Sequence, residues 1–420
     1  MFNIKNQLDR KKQFNSKNKF DEKIQTALTT RREKGLQRNT QVFSHLADNQ
    51  ISVSTANSAA ESRPYINFSS NDYLGLARDP ELISAWQQGL TQYGCGSSAS
   101  PAVTGLSMAH QSLQAKLCEW LGYSRSVLFN SGFSANQALL FTLLDKHDHL
   151  IQDKLNHASL MEAGMLSPAS MSRFKHNDVN ELSRKLAELS ATPTPAQAKL
   201  VVSEGVFSMD GDIAPLKELS QQCQKHQAWL AIDDAHGLGV LGSSGGGITE
   251  LSGIKPNILI VTFGKAVGLS GAAILCDEST GEFLNQFARH YVYSTAMPPA
   301  QAYAISHAIT MIQQQAWRRE KLAELSEIFH DSLSTLSGYR ATSTAIKPLI
   351  CGNSQQAIDL SNYLKQKGMW VGAIRPPTVP ANAARLRITL SSRHSQQQVS
   401  QLIQDIIQYY QLNENLRGYG

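Results

Sequence analysis

Ile258-Leu259-Ile260-Val261-Thr262-Phe263-Gly264-Lys265 is an apolar run that ends in a lysine, with Gly268 and Gly271 close behind it. Four bulky apolar residues in a row, without alternation, read as a strand buried on both faces, as in parallel sheets covered by helices. A lysine at the end of such a strand is expensive to desolvate, because burial disfavours its charged form. An amine pushed toward neutrality is also a good Schiff-base nucleophile. Gly264, Gly268 and Gly271 leave room for something flat to approach the backbone. The plainer alternative is a lysine that snorkels out of a strand end. The neighbouring strands decide between the two.

Outward from this run, similar segments recur between residues 81 and 276. They are 126–131 (SVLFNS), 149–153 (HLIQD), 199–204 (KLVVSE), 229–234 (WLAIDD) and 271–276 (GAAILC). Amphipathic stretches such as 107–122 and 215–227 separate them. That rhythm predicts an α/β domain, a mostly parallel sheet covered by helices, over 65–298. Residues 299–337 carry no strand signal and are expected as a linking helix. Short strands near 345–351, 369–374 and 385–390, with helices at 354–367 and 395–411, predict a small α+β domain over 338–420. Ahead of the body, 1–20 reads as a basic, solvated tail. Residues 21–64 read as a segment of charged helix (21–36) and, over 47–64, polar loop.

Bulk properties exclude several classes. With 41% hydrophobic and 17% charged residues the chain has the composition of a globular protein with a large core. A net charge of +5 without interleaved basic and aromatic residues gives no nucleic-acid surface. The five cysteines (95, 118, 223, 276 and 351) are scattered, as in a reduced cytoplasmic protein rather than a disulfide frame or a zinc site. No apolar stretch reaches membrane-span length, and the N-terminus has no secretory h-region.

Open parallel sheets bind ligands at the carboxyl ends of their strands. Gly132 and Phe133 follow the first run and open a helix, whose N–H groups suit a phosphate. His157 follows the second run, Ser208 follows the third, Asp233 and His236 lie at the end of the fourth and just past it, and Thr262 and Lys265 lie at the end of the opening run 258–265. An amine, an acid, two histidines, hydroxyls and a phosphate-type helix start on one edge match the needs of pyridoxal 5'-phosphate. Lys265 would hold its aldehyde, Asp233 would keep the pyridine nitrogen protonated, and His236 and His157 would contact the ring. Asp233-Asp234-x-His236 could instead be half of a metal site, but no third cluster of ligands supports one, and no metal is expected. The glycines of 237–242 match G-x-G-x-x-G, yet no amphipathic helix follows and position 262 is Thr where an acid is required, so a dinucleotide loop is excluded.

The strings NFSSNDYLGL (67–76), FNSGFSANQAL (129–139), NHASL (156–160), SEGVFSMDGD (203–212), DDAHGLGVLG (233–242), TFGKAVGLSGAAILC (262–276), YSTAMPPAQA (293–302) and AIRPPTVP (373–380) resemble the α-oxoamine synthases. These are fold-type I pyridoxal-phosphate transferases, and the resemblance runs from about 21 to 411. It implies a cytoplasmic homodimer that condenses L-alanine with a pimeloyl thioester, carried on coenzyme A or acyl carrier protein, and releases carbon dioxide and thiol in biotin biosynthesis. It further implies Lys265 as the Schiff-base lysine and proton-moving amine, Asp233 as pyridinium partner, His236 at the ring oxygen and His157 stacked on the ring. Gly132, Phe133, Ser208 and Thr262 match cofactor contacts, and Ser294 and Thr295 match phosphate contacts given to the partner subunit. Arg38 and Thr378 match substrate contacts. Arg387, in RLRIT, is our candidate for the alanine carboxylate, because a guanidinium pairs with it bidentately. The loop 96–105 departs from the family in carrying Pro101 and fewer glycines, which concerns the acyl entrance. The rivals are a glycine-using relative of the 2-amino-3-ketobutyrate ligase type and a non-catalytic cofactor-binding protein. The former typically has more glycine after the lysine than the Ala266–Ala273 run, and the latter would be expected to lack Lys265.

Overall fold

The computed structural model describes residues 18–33, 36–37, 40–46, 49–54, 63–191 and 197–413. They separate into two units, one of described residues up to His45 with those of 52–63, the other of Leu46–Ile51 with Pro64 onward. In the first, a helix spans Lys19–Glu33, with Asp21 and Glu22 in its first turn and Arg31 and Arg32 in its last, as the helix dipole favours. None of its residues is buried. A short strand, Val42–His45, follows. Within 47–64, expected as polar loop, Gln50–Ser54 is a strand and pairs through Gln50 and Ile51 with Tyr65–Asn67.

The second unit is built on seven strands, β1 (Arg125–Phe129), β2 (His149–Asp153), β3 (Ser170–Phe174), β4 (Lys199–Glu204), β5 (Trp229–Asp233), β6 (Ile258–Thr262) and β7 (Ala272–Cys276). Their order is β1-β7-β6-β5-β4-β2-β3. All neighbours run parallel except β7, which is antiparallel to both β1 and β6. Every residue of β6 is buried. Successive residues feed two cores, with Leu259, Val261 and Leu275 on one face and Ile258, Ile260 and Ile274 on the other. This explains why β6 shows no polar alternation, and each such side chain contributes about 1.5–3 kcal/mol by leaving water. The strand β3 escaped the sequence reading because it is an edge strand of sequence SMSRF, with only Phe174 fully buried.

Helices α1 (Gly132–Leu143) and α2 (Ala158–Leu166) follow β1 and β2. The helix expected over 299–337 is two, α3 (Pro299–Gln314) and α4 (Trp317–Leu333), divided at Gln315–Ala316. Beyond them, β8 (Ile346–Gly352), β9 (Gly372–Ile374) and β10 (Ala384–Thr389) form an antiparallel sheet in the order β8-β10-β9. Helices α5 (Ser354–Gln366) and α6 (Gln396–Leu412) accompany it. The single strand expected over 369–374 is divided, since Met369–Trp370 pairs with Tyr65–Asn67 and only Gly372–Ile374 joins β10.

Lys347 on β8 is fully buried, donates to the Thr342 carbonyl at 2.7 Å, and pairs with no acid among the described residues. Burial pushes its amine down to about 8. The folded chain therefore disfavours the charged form, and the penalty grows as pH falls from about 10.5 to 8 and is constant below. Lys347→Met is expected to raise stability at pH 7 by roughly 1–2 kcal/mol, with the gain vanishing above about pH 10. Thermal melts across that range check it.

Candidate functional site

The carboxyl ends of β1, β2, β4, β5 and β6 open on one cleft of about 310 Å³. Lys265, Asp233, His236, His157 and Thr262 line it, and so do Gly132 and Phe133 at the start of α1. Seven residues nominated from separate strand ends thus meet in one place. The reason is topological, since parallel strands deliver the residue after each of them to the same edge.

Asp233 is held by two N–H donors, Asn136 Nδ2 on Oδ2 at 2.8 Å and the Ala235 amide on Oδ1 at 3.0 Å. Asn136 also donates to Ser159 Oγ at 2.9 Å, and Ser159 Oγ lies 2.8 Å from His157 Nδ1. His157 Nδ1 accepts the Ser159 amide as well, capping α2. With Nδ1 an acceptor, the neutral ring carries its proton on Nε2. Desolvation in the cleft lowers the His157 pKa, against the opposing pull of Asp233.

Glu204 ends β4 beside Asp233 and accepts the His157 amide. Complete burial, with Asp233 next to it, raises its pKa well above the ordinary value. Burial lowers the Lys265 pKa, although Asp233 and Glu204 pull the other way. His236 is buried with Nδ1 2.6 Å from Tyr73 Oη. Burial, with Lys265 and Arg387 nearby, holds its pKa far below the ordinary value, so the ring is neutral.

Arg387 reaches the cleft's border from β10. Its Nε donates to the Ser208 carbonyl at 2.5 Å, Nη1 to Asn71 Oδ1 at 3.0 Å and Nη2 to Tyr73 Oη at 3.4 Å. These bonds use three of five donors, which leaves two for a ligand. Ser208 stands at this border rather than among the lining residues. Thr378 is exposed in the 375–380 turn and lies outside the cleft lining. Ser294 and Thr295 do not line the cleft of their own chain either, and the Thr295 carbonyl accepts Asn130 Nδ2 at 2.9 Å. Arg38 lies outside the described residues.

Sequence reading missed Asn71, Tyr73, Asn136, Ser159 and Glu204. Glu204 was within reach of the rule that found the others, since it is the last residue of an apolar run. Asn136 lies one turn into α1, and Asn71 and Tyr73 sit on an irregular segment without periodicity. Asp210 and Asp212 flank Gly211 on the loop after β4. In the structure Asp210 pairs with Arg385, and Asp212 Oδ2 lies 2.7 Å from His176 Nε2. His176 Nδ1 lies 3.1 Å from Asp153 Oδ1.

The site fits the cofactor that the resemblance implies. Thr262 Oγ1 is buried in the lining without a hydrogen-bond partner among the described residues. The first N–H groups of α1 have no intrahelical acceptor. A Cβ on Gly132 would press against the Thr262 methyl at 2.6 Å, so glycine lets this helix start approach the end of β6. Lys265 Nζ makes no hydrogen bond among the described residues, and Asp233 faces the same space.

The aminotransferase class I and II family matches residues 63–406. A Vibrio parahaemolyticus 8-amino-7-oxononanoate synthase is 59% identical over 91% of this chain and 96% of its own. Among solved structures, serine palmitoyltransferase from S. paucimobilis, with PLP–myriocin bound, superposes with a TM-score of 0.84 at 26% identity, covering 95% and 99% of the two chains. A Francisella tularensis 8-amino-7-oxononanoate synthase gives 0.70 at 29%, covering 83% and 99%. No helix among the described residues is long and apolar enough to cross a membrane.

The two acids beside His176 push its pKa up to about 10 despite partial burial. Its stabilisation is therefore complete below about pH 6.5 and is lost as pH rises through 10. His176→Gln is expected to lower stability by about 1–3 kcal/mol at pH 6 and by little at pH 10.5. Equal losses at both values would refute the charge.

Proposed function

Because the chain belongs to the aminotransferase class I and II family, and within it to the 8-amino-7-oxononanoate synthases, we propose that it joins L-alanine to a pimeloyl thioester. The products are 8-amino-7-oxononanoate, carbon dioxide and the free thiol of coenzyme A or acyl carrier protein. The observation that carries this is Lys265, an amine with a depressed pKa, set in one cleft with Asp233. Pyridoxal 5'-phosphate, when bound there, supplies an electron sink for a carbanion beside an amino group.

Lys265 would hold its aldehyde carbon, Asp233 its pyridine nitrogen, His236 its ring oxygen, and the α1 start with Thr262 its phosphate. The doubly held Asp233 keeps its carboxylate aimed without side-chain reorganisation. Lys265, an amine whose pKa burial lowers, removes the Cα proton of alanine and later returns one, as a base of depressed pKa within reach does. The two remaining Arg387 donors take the alanine carboxylate. His157, with its Nε2 proton, faces the thioester carbonyl. The active unit is a homodimer, supported by Ser294 and Thr295 standing outside the cleft of their own chain.

The experiment is a titration of the purified chain with pyridoxal 5'-phosphate, alanine or glycine, and pimeloyl thioesters on both carriers, read by absorbance and product mass. Alanine is expected to give 8-amino-7-oxononanoate. Product from glycine alone would sink the assignment in favour of the sister activity. Lys265→Ala should lower turnover by at least about 10³-fold while the chain still takes up the cofactor non-covalently. Arg387→Lys should raise the KM for alanine roughly tenfold and change kcat less. An unchanged alanine KM would remove Arg387 from the substrate site.

A further inference from the structure

Asp234 is the acid that the proposed chemistry does not use. It follows Asp233, yet its side chain is fully buried. Oδ2 accepts the Ile248 amide at 2.8 Å, and Oδ1 is buried without a hydrogen-bond partner among the described residues. No lysine, arginine or histidine forms an ion pair with it among the described residues. Three glycines from three segments close around it. A Cβ on Gly205, Gly237 or Gly247 would overlap its carboxyl oxygens. Gly247 also has φ +79°, which independently favours glycine.

We infer that Asp234 is a positioning residue, held as a neutral carboxylic acid in this glycine cradle, that pins the 245–248 loop beneath the turn presenting Asp233 and His236 to the cleft. A buried carboxylate without a cation is strongly disfavoured, whereas a neutral acid of the same shape is tolerated. The charged and titratable groups facing it are Asp233, the cleft amine Lys265 and, acting on the phenol side, Tyr123. Burial raises the Asp234 pKa to about 8, with Asp233 adding to the rise against the Ile248 and Gly237 amides and Lys265. The cradle itself needs no cofactor. Only the claim that it serves the cofactor rests on the function proposed above.

Asp234→Asn preserves shape and removes the titration. A carboxyl whose folded pKa is raised from 3.8 to about 8 loses stability progressively between those values. The melting temperature of Asp234→Asn minus that of wild type should therefore widen from pH 5 to pH 8, on the full chain with or without added pyridoxal 5'-phosphate. A difference that is flat or narrows over this range overturns the neutral acid. Cofactor affinity should change by less than about threefold in Asp234→Asn and fall by about tenfold or more in Asp234→Ala, which strands the Ile248 amide. Equal losses in both variants overturn the positioning role. Should the variants not fold, infrared spectra still decide, because a protonated-carboxyl band must persist in Glu204→Gln protein at pH 6.5. Its absence overturns the inference.

Discussion

Everything at the cleft depends on an amine being enclosed with acids in a space too small to solvate them all. Burial pushes Lys265 toward its neutral form and Glu204 toward its protonated form, so the two relieve each other's cost without forming a fixed ion pair. Asp233 is fixed by geometry, taking one N–H on each oxygen. A carboxylate with both oxygens engaged stays directed at a ligand without reorganising. The neutral histidines follow from the same enclosure, since each would add positive charge beside Lys265.

The enclosure is a property of the sheet. Only parallel strands deliver their ends to a single edge, and only strands buried on both faces bring that edge far from water. Helix α1 then supplies N–H groups and Asn136 from one element, coupling the phosphate-type helix start to the acid across the cleft. Asn136, Ser159 and His157 extend that coupling to α2. A shift of α1 would therefore misplace Asp233 and His157 together.

Legibility in the sequence followed this physics. Bulky runs such as Ile258–Val261 have no competing interpretation at their length and spacing, so the sheet and the residues just past its strands were readable. Ser170–Phe174 was not, because an edge strand has one exposed side and no apolar run. Asn71 and Tyr73 were not, because their positions are set by contacts with Arg387 and His236, hundreds of residues away or nearly so. The break at Gln315–Ala316 is likewise carried by packing, as neither residue is a helix breaker.

The small C-terminal sheet matters for a reason its composition does not disclose. Residues 385 and 387 alternate with apolar partners on β10, and the two-residue period sends both arginines to one face. One meets Asp210 and the other the Ser208 carbonyl, two positions on the loop after β4. The loop is tied from its other side by Asp212 to His176, which in turn holds Asp153 at the end of β2. Opposite charges thus clamp one loop between the two sheets, and the strand end leading to His157 is fixed by the same chain of ion pairs. Arg387 forms no ion pair with Asp210 or Asp212, which pair with Arg385 and His176, and bonds instead to the Ser208 carbonyl, Asn71 and Tyr73.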